Sequence, residues 1–390
     1  MNRLQKHIAY ALLLLFTIGL APTPAFGQPA LELNAEAAVL IEAHTGKVLY
    51  SKNADQPMPP ASLTKIMTLL LTMEDIKQGL ISPDTRVITS DKAWKTGGST
   101  MFLNVGQEVT VEELLKGIAI VSANDACVAI AEHLYGSEAA FVQKMNQQAE
   151  ELGLEHTHFM NSHGMHHPDH YMSALDIARL SAYLEENHPE AAALHTETEF
   201  TFNEIKQYNR NPLLNRFPGA DGIKTGSTPE AGLCLAGSST QEGMHLIAVV
   251  LNCPTETARL EDSEVLLNYG FRQFELATLA EGGEILATAP VQKGNSRTVN
   301  LVSNEPVLAV IPRGESEALE KITSIDRNLE APVNKGTVAG SLDIMLKGDK
   351  LVSVQLVTGE EVNRLKLPAS LWRSVTDFFA RLWNKIFSRT

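Results

Sequence analysis

Pro59-Pro60-Ala61-Ser62-Leu63-Thr64-Lys65-Ile66-Met67-Thr68-Leu69-Leu70-Leu71 is the stretch from which the rest of this 390-residue chain is read. Two prolines halt an extended segment, and an apolar run rich in helix formers follows. A helix starting near Ala61 or Ser62 and running to about Gln78 places Ser62 in its first turn. Unpaired backbone N–H groups and the positive dipole end there favour a developing oxyanion. Lys65 comes three residues on, over the same face as Ser62. Flanking Ile66, Met67, Leu69 and Leu70 bury the helix and keep the pair dry, which pushes the lysine towards its neutral form. The stretch reads as a serine nucleophile with a lysine base. S-x-x-K is short, however, and an N-cap serine with a surface lysine produces the same letters.

Two further stretches decide between those readings. In Val121-Ser122-Ala123-Asn124-Asp125-Ala126-Cys127, Ser122 and Asn124 fall in a short connection between two apolar helices, the first opened by the capping-box pattern Thr110-Val111-Glu112-Glu113. A hydroxyl there can relay a proton, and an amide can hold a substrate carbonyl or the lysine; simple helix capping is the alternative. In Pro218-Gly219-Ala220-Asp221-Gly222-Ile223-Lys224-Thr225-Gly226-Ser227-Thr228, a strand carries an ammonium, a hydroxyl and a glycine past which substrate backbone can approach. The N–H of Ser227 can join that of Ser62 as an oxyanion hole.

Ser62-x-x-Lys65, Ser122-x-Asn124 and Lys224-Thr225-Gly226, in that order, are the three signatures of serine acyl-enzymes that handle β-lactams and cell-wall peptides. With their flanks, and with His158-Phe159-x-Asn161-x-His163-Gly164, Asn209-Arg210-Asn211 and Tyr269-Gly270-Phe271, the chain resembles the low-molecular-mass penicillin-binding proteins, specifically D-alanyl-D-alanine carboxypeptidases. The resemblance implies an α+β fold, a five-stranded antiparallel sheet flanked by helices, with a helical cluster inserted between early and late strands. It implies that Ser62 attacks the carbonyl between two terminal D-alanines, Lys65 is the general base, Ser122 shuttles a proton to the leaving D-alanine, and Asn124 orients the substrate. By the same resemblance, Lys224 and Thr225 match the groups that set the electrostatics and grip the terminal carboxylate, with Gly226 and Ser227 lining the strand side. Arg259 and Arg210 match arginines near that carboxylate. Some relatives carry His where this chain has Ser227; only the backbone N–H is needed there. A β-lactamase and a non-catalytic wall-binding scaffold are the alternatives. Ser122-Ala123-Asn124 in place of S-D-N disfavours the first, and three intact motifs disfavour the second.

Around this centre the chain divides. Residues 1–27, with Arg3 and Lys6 before the apolar Ile8–Leu20 and the breakers of Ala21–Gly27, read as a signal peptide, so export is expected. Residues 28–278 are the expected catalytic domain. It opens with a hairpin of Ala37–Ala43 and Lys47–Ser51 and closes with two strands around Gly232–Ala236 and Leu246–Leu251. Residues 279–367 alternate short β-like runs with turns and read as a small β-sandwich. In 368–390, apolar Leu371, Trp372, Val375, Phe378, Phe379, Leu382, Trp383, Ile386 and Phe387 repeat at helical spacing. Arg373, Arg381, Lys385 and Arg389 lie off that face, which suits an amphipathic helix on a membrane surface. The expected location is the outer face of the cytoplasmic membrane, on the periplasmic side if an outer membrane exists.

Net charge is −14, from 32 Lys and Arg against 46 Asp and Glu, which argues against nucleic acid as a partner. Peptidoglycan stems ending in D-Ala-D-Ala are the expected substrate and β-lactams the expected covalent inhibitors. Six of the twelve histidines fall between His156 and His170, but Gly164 and Pro168 interrupt any helix that could present H-x-x-x-H, so a polar loop beside the cleft is preferred to a metal site. No metal and no cofactor is expected. Cys127, Cys234 and Cys253 are too few to carry the fold, and a Cys234–Cys253 bridge is left open.

Overall fold

The computed structural model describes residues 31–366 and 375–379. Its organising layer is a five-stranded sheet in the order β2-β1-β5-β4-β3, made of β1 (Ala37–Glu42), β2 (Val48–Lys52), β3 (Ala220–Thr228), β4 (Gly232–Gln241) and β5 (Met244–Cys253). Every pairing is antiparallel. The first two strands and the last three are separated in sequence by the helical insert, and β1 pairs with β5 to close the sheet across that gap. The two late strands are longer than the apolar runs alone suggest, because polar Ser238, Ser239 and Thr240 of β4 continue the ladder.

Alternation along β1 and β5 explains the layering. Val39, Ile41, Ile247, Val249 and Leu251 face the main core, whereas Leu40, Leu246 and Val250 are buried outside it. The main core is filled from the insert: α1 (Lys65–Lys77), α2 (Val111–Ile120), α3 (Asn124–Tyr135), α4 (Glu138–Glu151) and α5 (Ala174–Asn187). Helix α1 is buried on all sides over most of its length, as a central helix is, and packs against α2, α3 and α5. Its burial is nearly complete from Lys65 to Met73. Helix α6 (Glu256–Gln273) packs against β5, β4 and β1. The capping box at Thr110 and Glu113 is present, with Thr110 Oγ1 accepting from Glu113 N at 3.2 Å and Glu113 Oε2 from Thr110 N at 2.9 Å.

Beyond α6 the chain turns all-β. A six-stranded sheet runs in the order Leu319–Ile325, Val338–Leu346, Asp349–Thr358, Thr298–Val302, Ile285–Gln292, Leu329–Glu330. A separate pair joins Phe274–Ala280 to Val307–Pro312, so the expected boundary at 278/279 falls inside a strand. This part has its own core around Ala289, Val299, Leu301, Ile344 and Leu356. Residues 375–379 are helical, while the rest of the expected 368–390 helix and the expected signal peptide lie outside the described residues. No helix among the described residues is long and apolar enough to cross a membrane. All three cysteines are buried and free, so the bridge left open between Cys234 and Cys253 is not made.

Candidate active site

Ser62 does not open an α-helix directly. It sits in a single 3-10 turn, Ala61–Thr64, and α1 proper begins at Lys65. Ala61 is held left-handed, at φ 49°, an unfavourable conformation for a residue with a Cβ, which the packing around it must enforce. The result is that Lys65 Nζ reaches back to Ser62 Oγ at 3.1 Å. Lys65 has no solvent exposure at all, and its ammonium is pulled down to about 8 by burial and, next, by the Arg210 charge.

A loop that contributes no side chain to the reaction holds the lysine. Lys65 Nζ donates to the carbonyl oxygen of His163 at 2.6 Å, and Thr68 Oγ1 to that of Ser162 at 2.6 Å. Asn161 Oδ1 accepts from Gly164 N at 2.6 Å, and Glu138 Oε1 from Ser162 N at 3.1 Å and Ser162 Oγ at 2.8 Å. Gly164 is required: at φ 90°, a Cβ there would lie 1.8 Å from the Ala61 carbonyl oxygen. The polar loop expected beside the cleft is therefore a brace under the nucleophile turn. Among the described residues no cluster of His, Cys, Asp or Glu could hold a metal.

Ser122 lies between α2 and α3 at φ 64°, and its Oγ is buried without a hydrogen-bond partner among the described residues. Asn124 belongs to the first turn of α3 rather than to the connection, because the helix starts two residues earlier than the apolar run alone indicates. Its Nδ2 donates to Gly97 O at 2.7 Å and its backbone N to Ser99 O at 2.7 Å, so it ties down the Gly97–Thr100 loop and does not contact Lys65.

β3 is an edge strand, and its pairing with β4 sets Lys224 opposite Ala236 and Gly226 opposite Cys234. Lys224 is buried, with Nζ bonded among the described residues only to Thr225 O at 3.2 Å. Burial and then the charge of Lys65 hold it well below the usual lysine range. Both buried amines shift in the direction of proton loss, Lys65 by burial and the Arg210 charge and Lys224 by burial and the Lys65 charge. Gly226 brings the strand against the nucleophile turn: a Cβ would stand 2.9 Å from Pro60 O and 3.3 Å from Ser62 N.

Ser62, Ser122, Thr225, Gly226 and Ser227 border one open cavity of about 680 Å³, and Arg210 and Arg259 border the same space. Arg210 Nη1 donates to Ser99 Oγ at 2.8 Å. Arg259 is buried, and its Nε has no partner among the described residues. Lys65, Asn124 and Lys224 lie behind the cavity surface. The sequence reading missed His163, which acts through a backbone carbonyl, and Ser99, Glu138 and Glu256; the Asn161-x-His163-Gly164 turn pattern was the one available signal for the first.

This arrangement can acylate and deacylate a serine: a dry amine beside the hydroxyl, a buried second hydroxyl, backbone N–H groups at a turn and strand, and unpaired guanidinium charge for an anion. Comparison with known proteins agrees with it. The family model described as D-alanyl-D-alanine carboxypeptidase matches residues 24–255, and that for the C-terminal domain of penicillin-binding protein 5 matches residues 274–364. D-alanyl-D-alanine carboxypeptidase DacF of Bacillus subtilis is 38% identical over 387 residues, covering 97% of this chain and 99% of that protein. The crystal structure of penicillin-binding protein 5 from Haemophilus influenzae superposes with a TM-score of 0.81 at 36% identity, covering 86% of this chain and 99% of that one. Penicillin-binding protein D2 of Listeria monocytogenes in its ampicillin-bound form superposes with a TM-score of 0.58 at 32% identity, over 63% of this chain and all of that one.

Proposed function

The chain belongs to the D-alanyl-D-alanine carboxypeptidase family, and from that premise we propose how its residues divide the reaction. The protein is a serine-type carboxypeptidase that removes the terminal D-alanine from peptidoglycan stems and binds β-lactams. The observation that carries the residue assignment is the contact of a fully buried Lys65 amine with Ser62 at the edge of the cavity.

Substrate lies along the free edge of β3, with its terminal carboxylate held by Thr225, Arg259 and Arg210. Neutral Lys65 accepts the Ser62 proton as Oγ attacks the carbonyl between the two D-alanines. The N–H groups of Ser62 and Ser227 receive the oxyanion. Lys224, strand-borne and dry, has its own proton affinity lowered by burial and by the Lys65 charge, and the unpartnered hydroxyl of Ser122 passes a proton to the departing amine. Asn124 fixes the loop that walls the substrate; its Oδ1 takes no hydrogen bond among the described residues and is free to orient a substrate amide. The C–N bond breaks, D-alanine leaves, and water releases the shortened peptide from Ser62. A β-lactam presents a strained amide to the same hydroxyl.

The test is D-alanine release from a D-Ala-D-Ala peptide by the wild type and Ser62→Ala side by side, with fluorescent penicillin as a covalent label. Release and labelling should both vanish in the variant. A folded wild type that neither releases D-alanine nor takes up label would overturn the assignment, and rapid turnover of penicillin would favour a β-lactamase.

The periodic apolar face and basic flanks of residues 371–389 support attachment to the outer face of the cytoplasmic membrane. Co-flotation with vesicles containing anionic lipid, lost on deletion of 368–390, is the expected result; flotation without that segment would refute it.

A further inference from the structure

The cavity holds a charge that the reaction above does not use. Glu256 borders the same space as Ser62 and Arg259, and it is the one acid among the residues that do so. It lies on the first turn of α6, three residues before Arg259, so the two share a face about one helical turn apart. No ion pair joins them, and neither side chain makes a hydrogen bond or ion pair with any other described residue. A carboxylate in a first turn favours the helix dipole, which accounts for an acid at this end of α6 but not for its place on the cavity wall. Arg259, buried with an unpartnered Nε, is built for an anion. Leu233 and Leu260 add apolar lining. The methyl group of a terminal D-alanine cannot span one helical turn from a carboxylate on Arg259.

We propose that Glu256 is a specificity determinant for the leaving residue, recognising a cationic side chain such as that of D-lysine, D-ornithine or D-arginine. This rests on the proposed function, which places the terminal α-carboxylate on Arg259. An extended methylene stem then crosses the apolar lining and sets its ammonium or guanidinium against Glu256, in the manner of a long cationic side chain that buries its stem and keeps its head wet. The bond changes are those already given. Ser62 Oγ bonds to the acyl carbon, the C–N bond breaks, and the amine takes a proton and leaves as a free D-amino acid, its side-chain charge untouched.

The experiment uses the full chain and peptides diacetyl-L-Lys-D-Ala-D-X, with X as D-lysine, its neutral analogue D-norleucine, or D-alanine. The reading is the ratio of kcat/KM for D-lysine to that for D-norleucine, in wild type and Glu256→Gln. Glu256 is exposed, so the wild-type ratio should lie between about 1.5- and fivefold, the range of an exposed ion pair. It should fall to about one in Glu256→Gln, and raised salt should compress it in the wild type. A wild-type ratio of one, or a ratio that Glu256→Gln leaves unchanged, overturns the inference while D-alanine release stands. Failure to release D-alanine as well would overturn the proposed function and this inference together.

Discussion

Lys65 Nζ lies 2.6 Å from the backbone carbonyl oxygen of His163 and 3.1 Å from Ser62 Oγ. A carbonyl can only accept, so one N–H of Lys65 must point at His163. When the amine is neutral, that bond fixes how it turns and leaves its lone pair for Ser62. The loop therefore orients the base through an atom that any residue at position 163 would supply. Burial lowers the proton affinity of the amine, and the carbonyl aims it.

The first consequence is a pH profile. Lys65 is held near 8, and only its neutral form accepts a proton from Ser62. The second-order rate of acylation by fluorescent penicillin should rise with pH through about 8 and level off above it. After burial, the Arg210 charge is the main cause of that depression. Removing it in Arg210→Gln relaxes the repulsion, favours the ammonium and moves the rising limb to higher pH. A limb that stays in place or moves down would contradict the electrostatic assignment.

Lys65→Met keeps the length and apolar stem of the side chain while removing the base. Acylation should fall by about 10²–10⁴-fold, the usual worth of a positioned proton acceptor. Far-UV circular dichroism, read on the same preparation, checks that the fold survives. A variant that labels at close to the wild-type rate would mean that another group deprotonates Ser62.

The motifs made the grouping of Ser62, Lys65, Ser122 and the Lys224 strand legible, because each carries its side chains at fixed spacing from a structural signal. Prolines before Ser62, a capping box before the Ser122 connection and a glycine after Thr225 all mark local geometry. The five-stranded sheet was legible only through the family resemblance: periodicity shows that Leu246–Leu251 is a strand, not that it pairs with Ala37–Glu42 some two hundred positions earlier. What stayed hidden acts through backbone or through partners distant in sequence. His163 contributes a carbonyl, Glu138 reaches Ser162 from another helix, and Asn124 holds a loop rather than the lysine. None of these has a spacing that a sequence can show.

Gly164→Ala tests the brace without touching a reacting group. The new Cβ would stand 1.8 Å from the Ala61 carbonyl oxygen, in a left-handed conformation that alanine disfavours. Either the loop withdraws from Lys65 or the turn carrying Ser62 shifts. The expected cost is at least about 1–3 kcal/mol of stability, read as a lower Tm, together with slower acylation. An unchanged Tm and labelling rate would show that the contact between loop and turn is slack.

Acid should loosen the same turn through His170. Its Nδ1 accepts from Met160 N at 3.2 Å and its Nε2 meets Thr64 Oγ1 at 2.8 Å, while Thr64 Oγ1 donates to Ala61 O at 2.9 Å. That network assigns the proton to Nε2 and leaves Nδ1 no room for a second one. Burial accordingly lowers the His170 imidazole to about 3 and that of His163 to about 4, from an ordinary value near 6.5. With folded-state values below the unfolded ones, the unfolded chain binds more protons over this interval. Stability is therefore fully present above about 6.5 and is lost as pH falls from there towards 4 and then 3, by about 1.4 kcal/mol per pH unit for each histidine. Urea unfolding at a series of pH values should show the decline, and His170→Gln, which cannot take up the proton, should make it shallower. A slope that His170→Gln leaves unaltered would place the acid sensitivity elsewhere in the molecule.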